Sequence, residues 1–304
     1  MLFLFLIFVG KNQFSIALEA TFFSKSGQSS LRNIKPLGNG LGRKINIINE
    51  TGISTNLDTN YQIIKELLAG MGIEIHCRYL GDATCEEMKR FLEAPINVLA
   101  SDNAEGRALK EWLTAKYGCT FLDEPLPVGF HATKRWLKKL GRIFDCEEAA
   151  ERMIAGQEKL YQEEIEKLKP FLQGKRIFMT TINENVDWIL ETADAIGMKF
   201  VRIGVMNYLR QEAKVTDHPD KYEIDENFDW TKMRDIIREL KPDIVLSNYT
   251  YEEEGDYMVD TIPMSPVVGF HSGIQLIGRW VKLLNQKEKG AWMNDRALFE
   301  KYYS

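Results

Sequence analysis

Residues 174–205 read GKRIFMTTINENVDWILETADAIGMKFVRIGV and contain one complete strand–helix–strand unit. The apolar run at 176–180 predicts a strand, the pattern at 184–196 predicts a helix, and 199–205 predicts a second strand. Strands that alternate with helices pair in parallel and are joined by right-handed crossovers. This stretch therefore predicts an α/β fold built on a parallel sheet.

The same alternation of strands and helices runs through both halves of the chain. In the first half, strands are predicted at 45–48, 73–77 and 96–100, and a fourth at 119–122. The sequence therefore predicts two Rossmann-like parallel-sheet α/β domains joined by helices. We expect an irregular N-terminal segment at 1–44, a first domain at 45–145, a connecting helix at 146–173, and a second domain with C-terminal helices at 174–304.

Composition and charge exclude several classes of protein. The 304 residues include 44% hydrophobic and 27% charged residues, which is the composition of a globular protein rather than a disordered or fibrous one. The chain has 39 Lys and Arg against 44 Asp and Glu, so its net charge is −5. A chain with no basic excess has little to neutralise phosphates, which argues against nucleic-acid binding.

An apolar run opens the chain, from Met1 to Val9. Nine residues are too few to cross a bilayer, which needs about 20, and no basic residue precedes them as a signal peptide would require. A membrane role is therefore disfavoured and a cytoplasmic location is expected. A signal or anchor segment remains one alternative, and a truncated start that replaces a lost domain remains the other.

One motif occurs twice. Pro127-Val128-Gly129-Phe130-His131 precedes Arg135-Trp136, and Pro266-Val267-Val268-Gly269-Phe270-His271 precedes Arg279-Trp280. Both copies lie where an apolar segment turns into a helix, at the edge of a parallel sheet where ligands bind. The repeat predicts either a binding edge or two similar helix starts that use glycine for a tight turn.

Seven short motifs follow one another between residues 45 and 287. In this order they resemble the component 1 family of nitrogenase: molybdenum–iron-type subunits, their cofactor-assembly paralogues, and the dark-operative protochlorophyllide and chlorin reductases. The motif at 80–84 is the sharpest match, because the family has a Gly-Asp-Ala/Gly-Thr turn after a strand. The seven are Ile45–Ile48, Leu67–Ile73, Leu80–Thr84, Ile96–Leu99, Ala115–Gly118, Lys241–Ser247 and Pro266–Phe270.

The resemblance covers the last two of the family's three Rossmann-like domains, and it implies that the family's N-terminal domain is lacking from this sequence. It implies a nitrogenase-like oxidoreductase subunit that takes electrons from an ATP-dependent iron protein. It also implies a homologous sister subunit as partner, in a hetero-oligomer. The family's cofactor is an iron–sulfur cluster or a larger metallocofactor.

The cysteines decide how far this resemblance extends. Cys77, Cys85, Cys119 and Cys146 form no Cys-x-x-Cys pair, and Ser101 occupies the position of the family's cofactor-binding cysteine. Because iron–sulfur clusters need thiolate ligands, we predict that this chain alone holds no cluster, and we assign no metal ligand and no catalytic residue. Cys85 lies in a predicted first helical turn, where a thiol is either reactive or incidental.

Three functions remain open at this point. The first is a divergent or truncated component 1-like oxidoreductase subunit, and the second is a non-catalytic scaffold or assembly protein that binds a metallocofactor or tetrapyrrole. The third is a bilobal solute-binding protein. In each case the ligand, an organic acid or carboxylated tetrapyrrole, is expected at the ends of strands and starts of helices. The predicted contacts are Ser101, Asp102, Asn103, Gly269, Phe270 and His271.

Overall fold

Two parallel sheets organise the chain in the computed structural model. The structure describes residues 42–50, 56–79, 81–182, 185–206, 215–249 and 257–284. The apolar run at 1–9, Leu80 and the predicted C-terminal helices beyond Leu284 lie outside these residues. No helix in the described ranges is both long enough and apolar enough to cross a bilayer.

The first sheet has three strands in the order β2-β1-β3, and every pairing is parallel. All four residues of β3 and four of the five in β1 are buried, as expected for a parallel sheet covered on both faces. The strands are β1 (Lys44–Ile48), β2 (Glu74–Tyr79) and β3 (Ile96–Leu99).

The predicted fourth strand at 119–122 does not form. Phe121 makes a single isolated parallel bridge with Asn97, through bonds from Asn97 N to Thr120 O (2.9 Å) and from Leu122 N to Asn97 O (2.8 Å). Pro125 follows Leu122 by three residues and Pro127 by five, and prolines cannot donate to a ladder. The apolar residues at 119–122 therefore do lie beside β3, but the segment is too short to form a further strand of the sheet.

The helices of the first half begin with α1 (Leu57–Ala69), α2 (Cys85–Lys89) and α3 (Ala104–Tyr117). At the start of α2, Thr84 Oγ1 accepts from Glu87 N at 3.2 Å and Glu87 Oε2 accepts from Thr84 N at 2.7 Å. This is the capping box that Thr84 and Glu87 predict. A short 3₁₀ helix, Phe91–Glu93, follows α2.

Two longer helices come next, α4 (Phe130–Phe144) and α5 (Glu147–Leu172). The charged sequence of α5 forms ion pairs along its exposed surface, such as Lys167 Nζ to Glu164 Oε1 at 2.6 Å. Pro170 lies inside the last turn of α5 and the helix ends two residues later.

The second sheet has five parallel strands in the order β6-β5-β4-β7-β8. Its central strands β4 and β7 are almost wholly buried. The strands are β4 (Arg176–Thr181), β5 (Lys199–Val205), β6 (Ile224–Asp225), β7 (Ile244–Ser247) and β8 (Met258–Thr261). The associated helices are α6 (Asp187–Ile196), a 3₁₀ turn (Trp230–Lys232), α7 (Met233–Leu240) and α8 (Ser272–Leu284).

Contacts divide the chain into two compact units. The first unit contains the first sheet, with residues up to Pro127 and Trp136–Met153. The second unit contains Val128–Arg135 and everything from Ile154 onward, including the second sheet. The helices α4 and α5 each contribute to both units, and the two Rossmann-like α/β regions joined by helices are as predicted. The predicted limits at 145 and 173 stay a prediction.

Candidate functional site

Polar side chains meet at the carboxyl edge of the first sheet, where the neighbouring strands β1 and β3 end. Asn49 follows β1 with φ 65°, a left-handed conformation that asparagine tolerates better than most residues. Its Nδ2 donates to the carbonyl oxygen of Ser101 and to Asn103 Oδ1, both at 2.9 Å. Parallel pairing thus brings Asn49 to the predicted residues Ser101 and Asn103.

Asn103 also caps α3, because its Oδ1 accepts from the backbone N–H of Gly106 at 2.8 Å. A Cβ at Gly106 would lie 2.5 Å from both Asn49 Nδ2 and the Ser101 carbonyl oxygen, so only glycine fits there without a shift. Asp102 is exposed, and its carbonyl oxygen accepts a bond from Arg107. The carbonyl oxygen of Ser101 and the side-chain amide of Asn103 are therefore committed to structure, and the Asp102 carboxylate lies 3.8 Å from Arg107 Nη1 in an exposed ion pair. The Ser101 hydroxyl and this exposed carboxylate stay the candidate ligand contacts.

A buried ion pair lies at the same edge and was missed in the sequence. Arg78, near the end of β2, donates from Nε and Nη2 to the two Glu50 oxygens at 2.9 and 3.0 Å. The two side chains are only 9% and 5% exposed, and the Tyr61 ring centroid lies 4.3 Å from the guanidinium carbon. The hydrogen bond to Glu50 raises the pKa of Arg78. A charged residue inside a strand was the available signal, but the sequence prediction ended this strand at Cys77.

The second unit brings the two copies of the repeated motif together. Val128 and Gly269 form a parallel bridge, and the N–H of Gly129 donates to the carbonyl oxygen of Gly269 at 2.9 Å. Both glycines have positive φ, 86° and 91°, which other L-residues rarely adopt. A Cβ at Gly129 would lie 2.5 Å from the Trp188 Cβ. The two glycines therefore form tight turns before helices, which is one of the two interpretations that the sequence of the repeat allows.

The predicted site residues Phe270 and His271 lead directly into α8. Phe270 is buried, with its ring centroid 5.6 Å from that of Phe130. His271 is exposed, and its carbonyl oxygen accepts the first helical hydrogen bond, from Gln275 N at 2.9 Å. The turn thus combines a buried aromatic ring with an exposed imidazole at a helix start, where an anion is favoured.

The cysteines do not fit an iron–sulfur cluster. Cys77 and Cys119 lie in a hydrophobic cluster with Tyr79 and Phe91, and burial raises the pKa of each thiol to about 11. Burial also raises the pKa of Cys146, while Cys85 is exposed. Cluster ligands must be thiolates, and burial favours the neutral thiol at Cys77, Cys119 and Cys146. In the part of the chain that the structure describes, no three His, Cys, Asp or Glu side chains gather as ligands for one metal.

Comparison with known proteins adds to this geometry. A family model described as nitrogenase component 1 type oxidoreductase matches residues 21–285. The chain belongs to this family. The family resemblance carried by the seven motifs is thereby confirmed.

The family relatives include both catalytic and assembly proteins by name. The nitrogenase molybdenum-iron protein alpha chain of Methanothermobacter marburgensis is 24% identical over 251 residues, which cover 76% of this chain and 50% of that relative. A light-independent protochlorophyllide reductase subunit from Prochlorococcus marinus is 27% identical over 56% of this chain and 31% of its own length. The cofactor biosynthesis protein NifE of Methanosarcina barkeri is 24% identical, covering 56% and 36% respectively.

A solved nitrogenase structure has the same fold. The structure named nitrogenase Cp1 at pH 5 matches with a TM-score of 0.61 and 17% identity, over 84% of this chain and 59% of that chain. At this identity the match establishes the fold alone. The chain spans about half the length of the curated alpha chains that it matches.

Proposed function

We propose that this chain is a divergent subunit of a nitrogenase component 1 type oxidoreductase. In this role it receives electrons from an ATP-dependent iron protein and works beside a homologous sister subunit in the cytoplasm. The observation that carries the proposal is the family match over residues 21–285, together with two parallel-sheet units that retain the family's fold. Relatives whose names describe them as an alpha chain and as a reductase subunit support a hetero-oligomer.

The ligand-contacting residues are proposed separately for each unit. In the first unit, the Ser101 hydroxyl and the Asp102 carboxylate lie at the carboxyl edge of the sheet, beside the cap formed by Asn103. In the second unit, the Gly269–His271 turn leads into α8, a helix of 13 residues whose first amides and positive dipole end favour a carboxylate. These residues suit an organic acid or a carboxylated tetrapyrrole.

A second candidate function is a non-catalytic scaffold or assembly protein that holds a metallocofactor or tetrapyrrole. The buried thiols favour it, since Cys77 and Cys119 with a pKa of about 11 are poor cluster ligands. The resemblance also implies that Ser101 occupies the position of the family's cofactor-binding cysteine, which favours this candidate. A relative named as a cofactor biosynthesis protein supports this candidate as well.

One experiment separates these functions. The full chain, tagged and isolated anaerobically from its native host with its associated proteins, is analysed for iron, sulfide and its ultraviolet–visible spectrum. The complex is then mixed with an iron protein and ATP. ATP-dependent oxidation of the iron protein supports the oxidoreductase subunit, and a bound cofactor without such turnover supports the scaffold. A chain isolated without partner, cofactor or electron transfer contradicts both and leaves the solute-binding prediction.

A further inference from the structure

A crevice of about 230 Å³ opens on the second unit, beside the starts of α4 and α8 and the middle of α5. It lies within one unit, so its shape is independent of the first sheet. Its lining includes Phe270 and His271, which are also proposed ligand contacts at the start of α8, but binding there does not require the proposed electron transfer. The lining residues used below are Phe130, Gln157, Leu160, Tyr161, Phe270 and Ile274.

Aromatic rings form one wall of this crevice. The rings of Phe130 and Tyr161 stack with centroids 4.2 Å apart and planes 15° apart, and Phe270 lies 5.6 Å from Phe130. All three residues are buried, at 3%, 5% and 5% exposure, so the wall is held by the core. Fixed aromatic faces and edges pair best with another flat aromatic ring. The wall thus selects for a planar molecule.

Two buried polar atoms of the lining residues, Gln157 Oε1 and the Tyr161 hydroxyl oxygen, have no partner among the residues that the structure describes, and the first of them can only accept. The carbonyl oxygen Oε1 of Gln157 is buried and accepts no hydrogen bond from any residue that the structure describes. A buried acceptor without a donor is costly, and such atoms in native proteins call for an explanation. A ligand with an N–H or O–H group directed at Gln157 supplies the missing donor.

Apart from the exposed imidazole of His271, the titratable groups that line the crevice offer no free charge to an ionic ligand. Glu164 also lines it, but the Glu164 carboxylate is paired with Lys167 at a distance of 2.6 Å. Burial raises the pKa of the Tyr161 hydroxyl, so this group stays neutral at physiological pH. The Thr192 hydroxyl, which lowers the pKa of Tyr161, donates its own hydrogen to the Trp188 carbonyl oxygen at 2.8 Å.

We propose that this crevice binds a neutral, planar aromatic molecule of one or two fused rings that carries a single hydrogen-bond donor. The ring packs against Phe130, Tyr161 and Phe270, and the donor meets Gln157 Oε1. The size agrees, since an apolar cavity of about 150 Å³ accommodates benzene and 230 Å³ leaves room for a second ring.

The test compares indole with 1-methylindole, which has nearly the same shape but no N–H donor. Both are titrated into the full chain and followed by ligand-observed NMR. We expect indole to bind about 10-fold more tightly than 1-methylindole, which is the effect of one hydrogen bond to a buried acceptor. Gln157→Leu should abolish this preference, while Gln162→Leu, an exposed glutamine on the same helix, should retain it.

A second variant closes the crevice without altering the core. Leu160 lines the crevice and is 50% exposed, so Leu160→Trp is tolerated by the fold and should weaken binding of both probes at least 10-fold. Equal affinities of the parent protein for the two probes would overturn the proposal. So would unchanged binding to Leu160→Trp, or no binding up to the solubility limit of indole. If circular dichroism shows that Gln157→Leu does not fold, the proposal is tested by the ratio of the parent protein's affinities for indole and 1-methylindole.

Discussion

The carboxyl edge of the first sheet and the Gly129–Gly269 turns of the second unit differ in how their polar groups are paired. At the first edge, side chains satisfy one another and the backbone: Asn49 bonds to Ser101 and Asn103, and Arg78 bonds to Glu50. In the second unit, Gly129 and Gly269 form turns without side chains, and Gln157 Oε1 in the neighbouring crevice is a buried acceptor without a donor among the described residues. Groups that already have partners hold a fold in place, and groups without partners are available to a ligand. The difference therefore assigns rigidity to the first edge and binding capacity to the second unit.

The largest effect is expected at the buried ion pair of the first edge. Arg78→Met leaves the Glu50 carboxylate buried without its bidentate partner, and should lower the free energy of unfolding by about 3–5 kcal/mol. Urea denaturation measures the loss. The control is Arg90→Met, which removes a guanidinium from an exposed pair with Glu93 and should change the free energy of unfolding far less, because solvent screens that pair. Similar losses for both variants would mean that the first edge is not held by this pair.

The next effect concerns the turn of the second unit. Gly129→Ala places a Cβ 2.5 Å from the Trp188 Cβ at a φ of 86°, so strain and overpacking together should cost about 3 kcal/mol. Gly118→Ala is the matched control, because its φ is 68° with no atom within 4 Å of the added Cβ. Gly118→Ala should lower the free energy of unfolding only by the cost of a positive φ at alanine, about 1 kcal/mol. Thermal unfolding of both variants separates strain from the close contact with Trp188.

The core beneath the first edge predicts a dependence on alkaline pH. Burial raises the pKa of Cys77 and Cys119 to about 11, above the unfolded value of about 8.5. The stabilisation is complete below pH 8.5 and is lost as pH rises through the interval to about 11, because only the unfolded chain releases these protons readily. Each thiol should cost on the order of 2 kcal/mol by pH 10.

Urea denaturation between pH 8 and pH 10 tests this expectation. Cys119→Ala should lower the free energy of unfolding at every pH, but that free energy should then fall less between pH 8 and pH 10 than in the parent protein. Cys85→Ala should leave the fall with pH unchanged, because Cys85 is exposed. If the free energy of unfolding falls equally with pH in the parent protein and in both variants, the buried thiol of Cys119 is not its cause.

The smallest effects separate structure from binding at the predicted site. Asn103→Ala removes the cap of α3 and the partner of Asn49, and should cost about 1 kcal/mol. Ser101→Ala should change stability by less than about 0.5 kcal/mol, since the carbonyl oxygen of Ser101, not its hydroxyl, accepts the bond from Asn49. Differential scanning calorimetry compares the two. A large loss from Ser101→Ala would show that its hydroxyl supports the fold and would remove it from the proposed ligand contacts.

Local patterns were sufficient for much of the fold and for one part of the site. The strand at 199–205 and the capping box of Thr84 and Glu87 occur where the sequence predicts them, because periodicity and capping involve residues within a few positions of each other. The predicted site residues at 269–271 lead into a helix that begins at Ser272, for the same local reason. The strand at 119–122 was wrong because forming a ladder depends on what the partner strand and the next residues allow.

The sequence by itself determined the alternation of strands and helices, the family, and the positions of Ser101 and the repeated Gly-Phe-His motif. Only the tertiary structure decided which side chains meet. The Arg78–Glu50 pair joins residues 28 positions apart, and Asn49 reaches Asn103 across 54 positions. The pairing of Val128 with Gly269 and the unpartnered oxygen of Gln157 likewise depend on distant segments. Hydrogen bonds act over about 3 Å in space, so their partners are set by strand order and helix packing and carry no signal in the local sequence.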